Sequence, residues 1–497
     1  MAKMKKTAGM PTEANVIAPR CGVAKPPSHW GASLLAALLW MAMALDAKAA
    51  TELPLLSARP APEWLARGVI YQVWLRTFTP EGNLRAAARR LPDVADLGAT
   101  IVYLSPVCLQ DDDLRPEFWS KRQKASGANN PRNPYRIKDY NQIDPEYGTE
   151  ADLREFIETA HRLGLRVLMD LVYFHCGPGS TLMEHPEYFK KDASGKISTG
   201  QWNFPVLDFG NRSLREYLWA NMEHWVKDFN VDGYRCDVSD AVPLDFWEEA
   251  RARLERQRKD IVILGEGQRK TDQIKAMDLN YSFSWYEGIN AVFTKGQPAS
   301  SLVALWTKMR DERPRGARFI RYLENHDIVN DQQRADSVCS ERGALAMSVV
   351  NFTLDGVPML YNGQEIGDTS PQSIFARWPV RWEAAVLPRS AAKRAFYQKL
   401  CQWRKADPAL CEGEVIWLAN SQPDAVLSFL RRSLVGNLLT LANLSNRALQ
   451  VQVMPGESKL TGFQPVLTDG AVPVKNVENP AFHLAGFGYF VGRQPSP

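Results

Sequence analysis

Short apolar runs recur along this chain at residues 69–75 (VIYQVWL), 101–105 (IVYLS), 166–173 (RVLMDLVY), 231–238 (VDGYRCDV), 261–266 (IVILGE), 318–323 (RFIRYL) and 357–361 (VPMLY). Between them, residues 84–97, 151–163, 213–229, 245–259 and a stretch near 341–353 read as helices with one apolar face, and Gly164 is a stop signal for the second. The runs are apolar almost throughout rather than alternating, which predicts parallel strands covered on both faces. Roughly eight such units suit a closed (β/α)8 TIM barrel better than an open sheet. Two irregular stretches, 109–134 and 174–210, interrupt the pattern. After residue 413 it changes to short alternating runs (VIWLA, AVLSFLRR, LLTLANLS) broken by Gly, Asn and Pro. The expected organisation is an α/β barrel over 51–405, with 174–210 as a short inserted domain after the third strand. A C-terminal antiparallel, β-sandwich-like domain is expected over 406–497.

The first 50 residues stand apart. Residues 32–45 (ASLLAALLWMAMAL) are uncharged and apolar, preceded by Lys and Arg and followed by Ala47-Lys48-Ala49. That run is short for a membrane span, which needs about 20 residues, and has the layout of a secretory signal peptide. The alternative is a retained N-terminal anchor. The expectation is a chain beginning near Ala50, exported to the periplasm or outside the cell. The 497 residues carry 60 Lys+Arg and 56 Asp+Glu; without the leader 54 of each remain. The basic excess lies wholly in the leader, so charge gives no reason to expect a nucleic-acid partner. Six of seven cysteines lie beyond the leader: Cys108, Cys176, Cys236, Cys339, Cys401 and Cys411. They show no C-x-x-C pair and no zinc spacing, so they read as disulfides or as buried thiols.

In a parallel barrel the reactive groups stand at the C-terminal strand ends. Asp170, Asp237, Glu266 and Asp327 all end or follow a predicted strand. Glu266 is 29 residues after Asp237, about one unit, and Asp327 is 61 after Glu266, about two. Asp237, Glu266 and Asp327 are thus expected around one rim, with His175 and His326 beside them. Arg235 lies two residues before Asp237 on the same strand face. Each alone reads as a structural ion-pair partner; together they suit glycoside cleavage. That reaction needs an acid for the leaving oxygen and a carboxylate to attack or stabilise the sugar carbon.

The motifs resemble the α-amylase family of glycoside hydrolases from about Gly68 to Phe490. GVIYQVWLRTF (68–78) is similar to the family's first strand and NPYRIKDYNQIDPEYGT (133–149) to the segment before its third. DLVYFH (170–175), GYRCDV (233–238), ILGE (263–266) and ENHD (324–327) resemble its four conserved regions. VLDFGN (206–211) resembles the short region of the inserted domain, and GVPMLYNGQEIG (356–367) the eighth-strand segment. The resemblance implies retaining hydrolysis of α-glucosidic bonds, with an α-glucan or oligosaccharide as substrate. It implies Asp237 as nucleophile, Glu266 as acid/base and Asp327 as a ligand of sugar hydroxyls. Tyr135, His175 and His326 would bind the sugar; Arg235 would hold Asp237 ionised, with Asp170 bracing it. A transglycosylase or isomerase of the trehalose-synthase kind would use the same site, and a non-catalytic relative would lose the triad.

Several positions depart from the pattern: Phe174 where Asn is usual, Asp240-Ala241 where Lys-His is common, and no aromatic residue directly after Glu266. Many relatives hold calcium between barrel and inserted domain. Phe174 offers no side-chain oxygen there, so no metal or other cofactor is expected. The run Asp111–Asp113 could bind an ion elsewhere, but three adjacent acids read first as a solvated loop. Cys108 and Cys176 follow neighbouring strands of such a barrel and are the candidates for a disulfide.

Overall fold

The computed structural model describes residues 52–126, 132–331, 333–454, 456, 460–474 and 479–495. The leader and its cleavage pattern lie outside the described residues.

Eight parallel strands form the centre: β1 (Ile70–Val73), β2 (Ile101–Leu104), β3 (Arg166–Leu171), β4 (Gly233–Cys236), β5 (Val262–Gly265), β6 (Leu279–Asn280), β7 (Ile320–Arg321) and β8 (Val357–Tyr361). They hydrogen-bond in the order β6-β5-β4-β3-β2-β1-β8-β7, and a parallel bridge between Asn280 and Phe319 joins the two ends. The predicted barrel is therefore the observed one. Its strands are buried because each faces side chains inside the ring and helices outside. The outer helices start where local chemistry dictates. Asn83 caps Leu84–Asp96, Thr149 and Asp152 form a capping box on Glu150–Arg162, and Asn211 caps Arg212–Phe229.

The sequence reading missed β6. It is two residues long, and its surroundings are polar: Asp278 accepts from Ile263 N at 2.7 Å, and Asn280 Nδ2 donates to Asp272 at 2.9 Å. Paired polar groups replace the apolar run that marks the other strands. The stretch 109–134 is not featureless either. Cys108–Gln110 pairs antiparallel with Ile137–Ile143, and a short helix, Lys121–Ala125, is capped by Ser120. Residues 174–210 hold only short helical turns and isolated bridges such as His175–Val206 and Phe189–Leu207.

After the helix Pro388–Ala406 the chain becomes antiparallel sheet from Glu414 onward. The last strand, Ala481–Pro495, pairs with Leu449–Met454 at its start and Gly436–Asn443 at its end. It bends near Phe487, whose φ is 57°. Arg431 ties this sheet to the barrel by donating to Thr353 O at 2.9 Å and Gly413 O at 2.8 Å. No described helix is long and apolar enough to cross a membrane.

At the opposite face from the predicted site, buried Asp232 accepts from Val167 N (2.8 Å), Arg166 Nη1 (2.8 Å) and His161 Nε2 (2.7 Å), and also pairs with Arg258. Burial opposes its charge, but His161, Val167 N and Arg166 outweigh burial and hold it below the usual carboxylate range. Its stabilisation is thus fully present above the unfolded value of about 4 and is lost as pH falls through the depressed folded value. Asp232→Ala should cost about 3 kcal/mol at pH 7, the low end for a buried ion pair because Arg166 and Arg258 reach solvent. Urea unfolding should show that difference shrinking between pH 5 and pH 2.

Candidate active site

Arg235 is the hub of the rim. Its buried Nη1 donates to Asp170 Oδ1 at 2.7 Å and Asp237 Oδ1 at 2.8 Å, and its Nη2 lies 2.6 Å from Glu266 Oε1. The barrel register produces this meeting: Asp170 stands opposite Arg235, and Arg235 opposite Leu264. Beyond the strand ends the ladder continues, with Asp237 N donating to Leu171 O and Glu266 N to Cys236 O. Val238, with φ 44° and ψ 44°, directs its N–H to Glu266 Oε2 at 2.8 Å. A β-branched residue seldom adopts that left-handed geometry, so backbone strain is held beside Asp237.

A second set of bonds fixes His326. Gln72 on β1 accepts from His326 N through Oε1, which turns its amide Nε2–H toward His326 Nδ1 at 2.7 Å. Nδ1 is then the acceptor, and Nε2–H faces Tyr135 Oη at 2.7 Å. Tyr135 in turn donates to Asp170 Oδ2 at 3.2 Å, beside Tyr103 at 2.9 Å. Trp74 stacks flat on His326, ring centres 5.0 Å apart. Burial lowers the His326 pKa to about 3 and that of His175 to about 4, so both rings are neutral at ordinary pH. His175 Nε2 lies 3.9 Å from Asp237 Oδ2.

Asp237, Glu266, Asp327, Tyr135, His175 and His326 line one cavity of about 220 Å³. The structure thus brings six of the seven predicted site residues to one cavity, with Arg235 behind them. Burial pushes Asp237 well above the usual carboxylate range and the charge of Glu266 adds to this, while Arg235 opposes both. Glu266 is also raised, by burial first and then by Asp327, against Arg235. Arg235 thus reduces the rise at Asp237 without reversing it, which departs from the expectation that it holds Asp237 ionised. Asp327 differs. Burial opposes its charge, but His326, Arg122 and Arg235 hold it below the usual range. Since His326 is neutral above about pH 3, the charges that favour an ionised Asp327 at ordinary pH are those of Arg122 and Arg235.

The same cavity shows what the sequence reading missed. Arg122 bonds the Asp327 carboxylate and its carbonyl oxygen (3.2 Å) and pairs with Asp331 at 2.7 Å. Trp202 and Phe204 face His175 with ring centres at 5.6 Å and 5.0 Å. An aromatic cluster near the VLDFGN motif is the one local signal that could have found them. The departures at 240 and 267–269 prove complementary: Asp240 accepts from Gln268 N (2.7 Å) and Arg269 N (3.1 Å), shaping the loop after Glu266.

Two expectations need correction. Asp111 is fully buried rather than solvated, accepting from Gly179 N at 2.8 Å and pairing with Arg136 at 3.2 Å, because glycines at 177 and 179 make room for its carboxylate. Cys108 and Cys176 are free thiols. Cys108 turns to Tyr140 O and Cys176 to Gly177 O, and burial pushes both thiols up to about 12. As for calcium, Phe174 packs edge-on against Trp202 and presents hydrocarbon, and the buried Asp111 carboxylate is paired with the Arg136 guanidinium. These residues do not fit a calcium ion. Among the described residues no three His, Cys, Asp or Glu side chains are grouped to hold a metal.

The family description for the α-amylase catalytic domain matches residues 68–204 and 197–409. The chain belongs to the α-amylase family of glycoside hydrolases. Within that family it is 23% identical over 433 residues to alpha-amylase 2 of Dictyoglomus thermophilum, covering 78% of this chain and 71% of that one. It is 28% identical over 367 residues to alpha-amylase MalA of Haloarcula japonica, covering 70% of this chain and half of that longer relative. The fold superposes with a TM-score of 0.76 on a noncanonic maltogenic alpha-amylase from Thermotoga neapolitana, at 24% identity, covering 87% of this chain and all of that one.

Proposed function

We propose that this protein hydrolyses α-glucosidic bonds of starch-derived glucans or oligosaccharides with retention of configuration. The observation that carries the reading is the convergence of Asp237 and Glu266 on Arg235, with Asp327 in the same cavity. In this reading one proton on the pair supplies the acid, and the guanidinium stabilises the remaining charge. With the proton on Glu266, its carboxyl protonates the glycosidic oxygen as Asp237 attacks the anomeric carbon. The C–O bond to the leaving sugar breaks and an Asp237 ester forms. Glu266, now ionised, takes a proton from water, which attacks the same carbon and returns Asp237 as carboxylate. Asp327, kept charged by Arg122, accepts from sugar hydroxyls. The neutral ring of His175 serves as a hydrogen-bond partner; His326, whose two ring nitrogens face Gln72 and Tyr135, lines the cavity, and Tyr135 lies against the sugar.

The test is incubation with maltooligosaccharides, chromatography of the products and proton NMR of fresh product. Shorter maltooligosaccharides first appearing as the α-anomer are expected; initial β-anomer would overturn retention. Products longer than the substrate would place the chain among transglycosylases. Because Phe174 presents hydrocarbon to Trp202 and the buried Asp111 carboxylate is already paired with Arg136, thermal unfolding with excess chelator and with excess calcium should coincide within about 2 °C. A fall of many degrees in chelator, restored by calcium, would show a site these residues do not provide. The leader supports export, which cell fractionation with intact and leader-deleted chains would test.

A further inference from the structure

The catalytic cavity has a built wall on one side. In the barrel order β1 lies four strands from β5 in either direction, so the wall beyond β1 stands across the mouth from Glu266. Just past β1, Arg76 is 1% exposed. It donates to Ile374 O (3.2 Å) and Phe375 O (2.9 Å) in the loop after β8. It also donates to Arg132 O (3.1 Å) in the excursion after β2, to Glu146 (2.9 and 2.8 Å) and to Gln110 (2.8 Å). One buried cation thus ties two loops together. Asn330 Oδ1 adds a bond from Ile374 N at 3.0 Å. Ile374 and Phe375 line the cavity from this wall, together with Arg122.

At about 220 Å³ the cavity falls below the range of about 300–1,000 Å³ that holds larger ligands, so its delimited part is of the size of one sugar ring. The leaving group must stand beside the acid, on the β5 side. The wall therefore bounds the other end of the ring, where a preceding sugar would have to attach. Arg122 is held by two carboxylates and so is not a receptor for an anionic substrate. It fills space at that end and leaves Asp327 Oδ2 for a sugar hydroxyl.

We propose that Arg122 and Phe375 close the site to all but the terminal residue of a glucan, so that the enzyme removes single sugars from the chain end. The proposal rests on reading Asp237, Glu266 and Asp327 as the glycosidic site. It is tested on the full chain with maltoheptaose and with maltoheptaose whose non-reducing end is capped as a 4,6-ethylidene acetal. Free chain should give glucose as first product, and capped chain should react at least ~100-fold more slowly. In Arg122→Ala that ratio should fall about tenfold or more, with maltose among the first products; Phe375→Ala is the second variant if the first does not fold. Equal cleavage of capped and free chains, or maltose as the first wild-type product, would overturn the closure while leaving the hydrolase reading intact. Unchanged ratios in the folded variants would overturn the role of these two residues. No cleavage of either chain would overturn the hydrolase reading and the closure with it.

Discussion

Asp237→Asn should lower turnover on maltooligosaccharides at least ~1000-fold, because the amide cannot form the ester on which both halves of the reaction depend. The substitution keeps size and shape, and the Asn carbonyl oxygen can still accept from Arg235 Nη1, now 2.8 Å from Asp237 Oδ1. Unfolding should therefore change little, and steady-state kinetics beside a thermal melt will separate chemistry from folding. The loss should persist with an α-glucosyl fluoride, since a better leaving group does not supply a nucleophile. A variant within tenfold of wild type would remove Asp237 from the reaction.

Glu266→Gln should show an equally large loss on maltooligosaccharides but a different dependence on substrate. Without an acid the sugar leaving group departs unprotonated, and that step should slow at least ~1000-fold. Fluoride leaves without protonation, so ester formation from α-glucosyl fluoride should largely survive. Hydrolysis of the ester still needs a base. Azide, a nucleophile that needs no base, should therefore restore turnover and give α-glucosyl azide. Glu266 accepts from Val238 N at 2.8 Å and pairs with Arg235 at 2.6 Å, and a glutamine can keep the first contact. Failure of both fluoride and azide to rescue a folded variant would assign Glu266 a structural role.

What could be read from the sequence follows from how far apart the interacting residues lie. Seven strands announced themselves because a strand covered on both faces must be apolar along its length. Asp237 and Glu266 were legible because barrel geometry turns a spacing of about one unit into neighbouring strand ends. The sixth strand was not, since Asp278 and Asn280 find their partners through the fold and leave no apolar run. Arg122 was invisible for a related reason. It meets Asp327 across 205 residues, and nothing around Lys121–Ala125 marks one arginine over another. Arg76 reaches nearly 300 residues to Phe375. Asp111 looked like one of three solvated acids, but Gly177 and Gly179 lie distant in sequence and admit it to the interior. Cys108 and Cys176 follow neighbouring strands as expected, yet side-chain direction, which spacing does not encode, turns each thiol to a backbone carbonyl.

The most direct test of covalent catalysis at this rim is to trap the ester. A 5-fluoro-α-glucosyl fluoride reacts as a glucosyl donor but slows breakdown of the intermediate. Digestion and mass spectrometry of the inactivated protein should then find one fluoroglucosyl group per chain, on the carboxylate of Asp237. A label on any other residue, or steady turnover of the reagent by Asp237→Asn at the wild-type rate, would contradict the account.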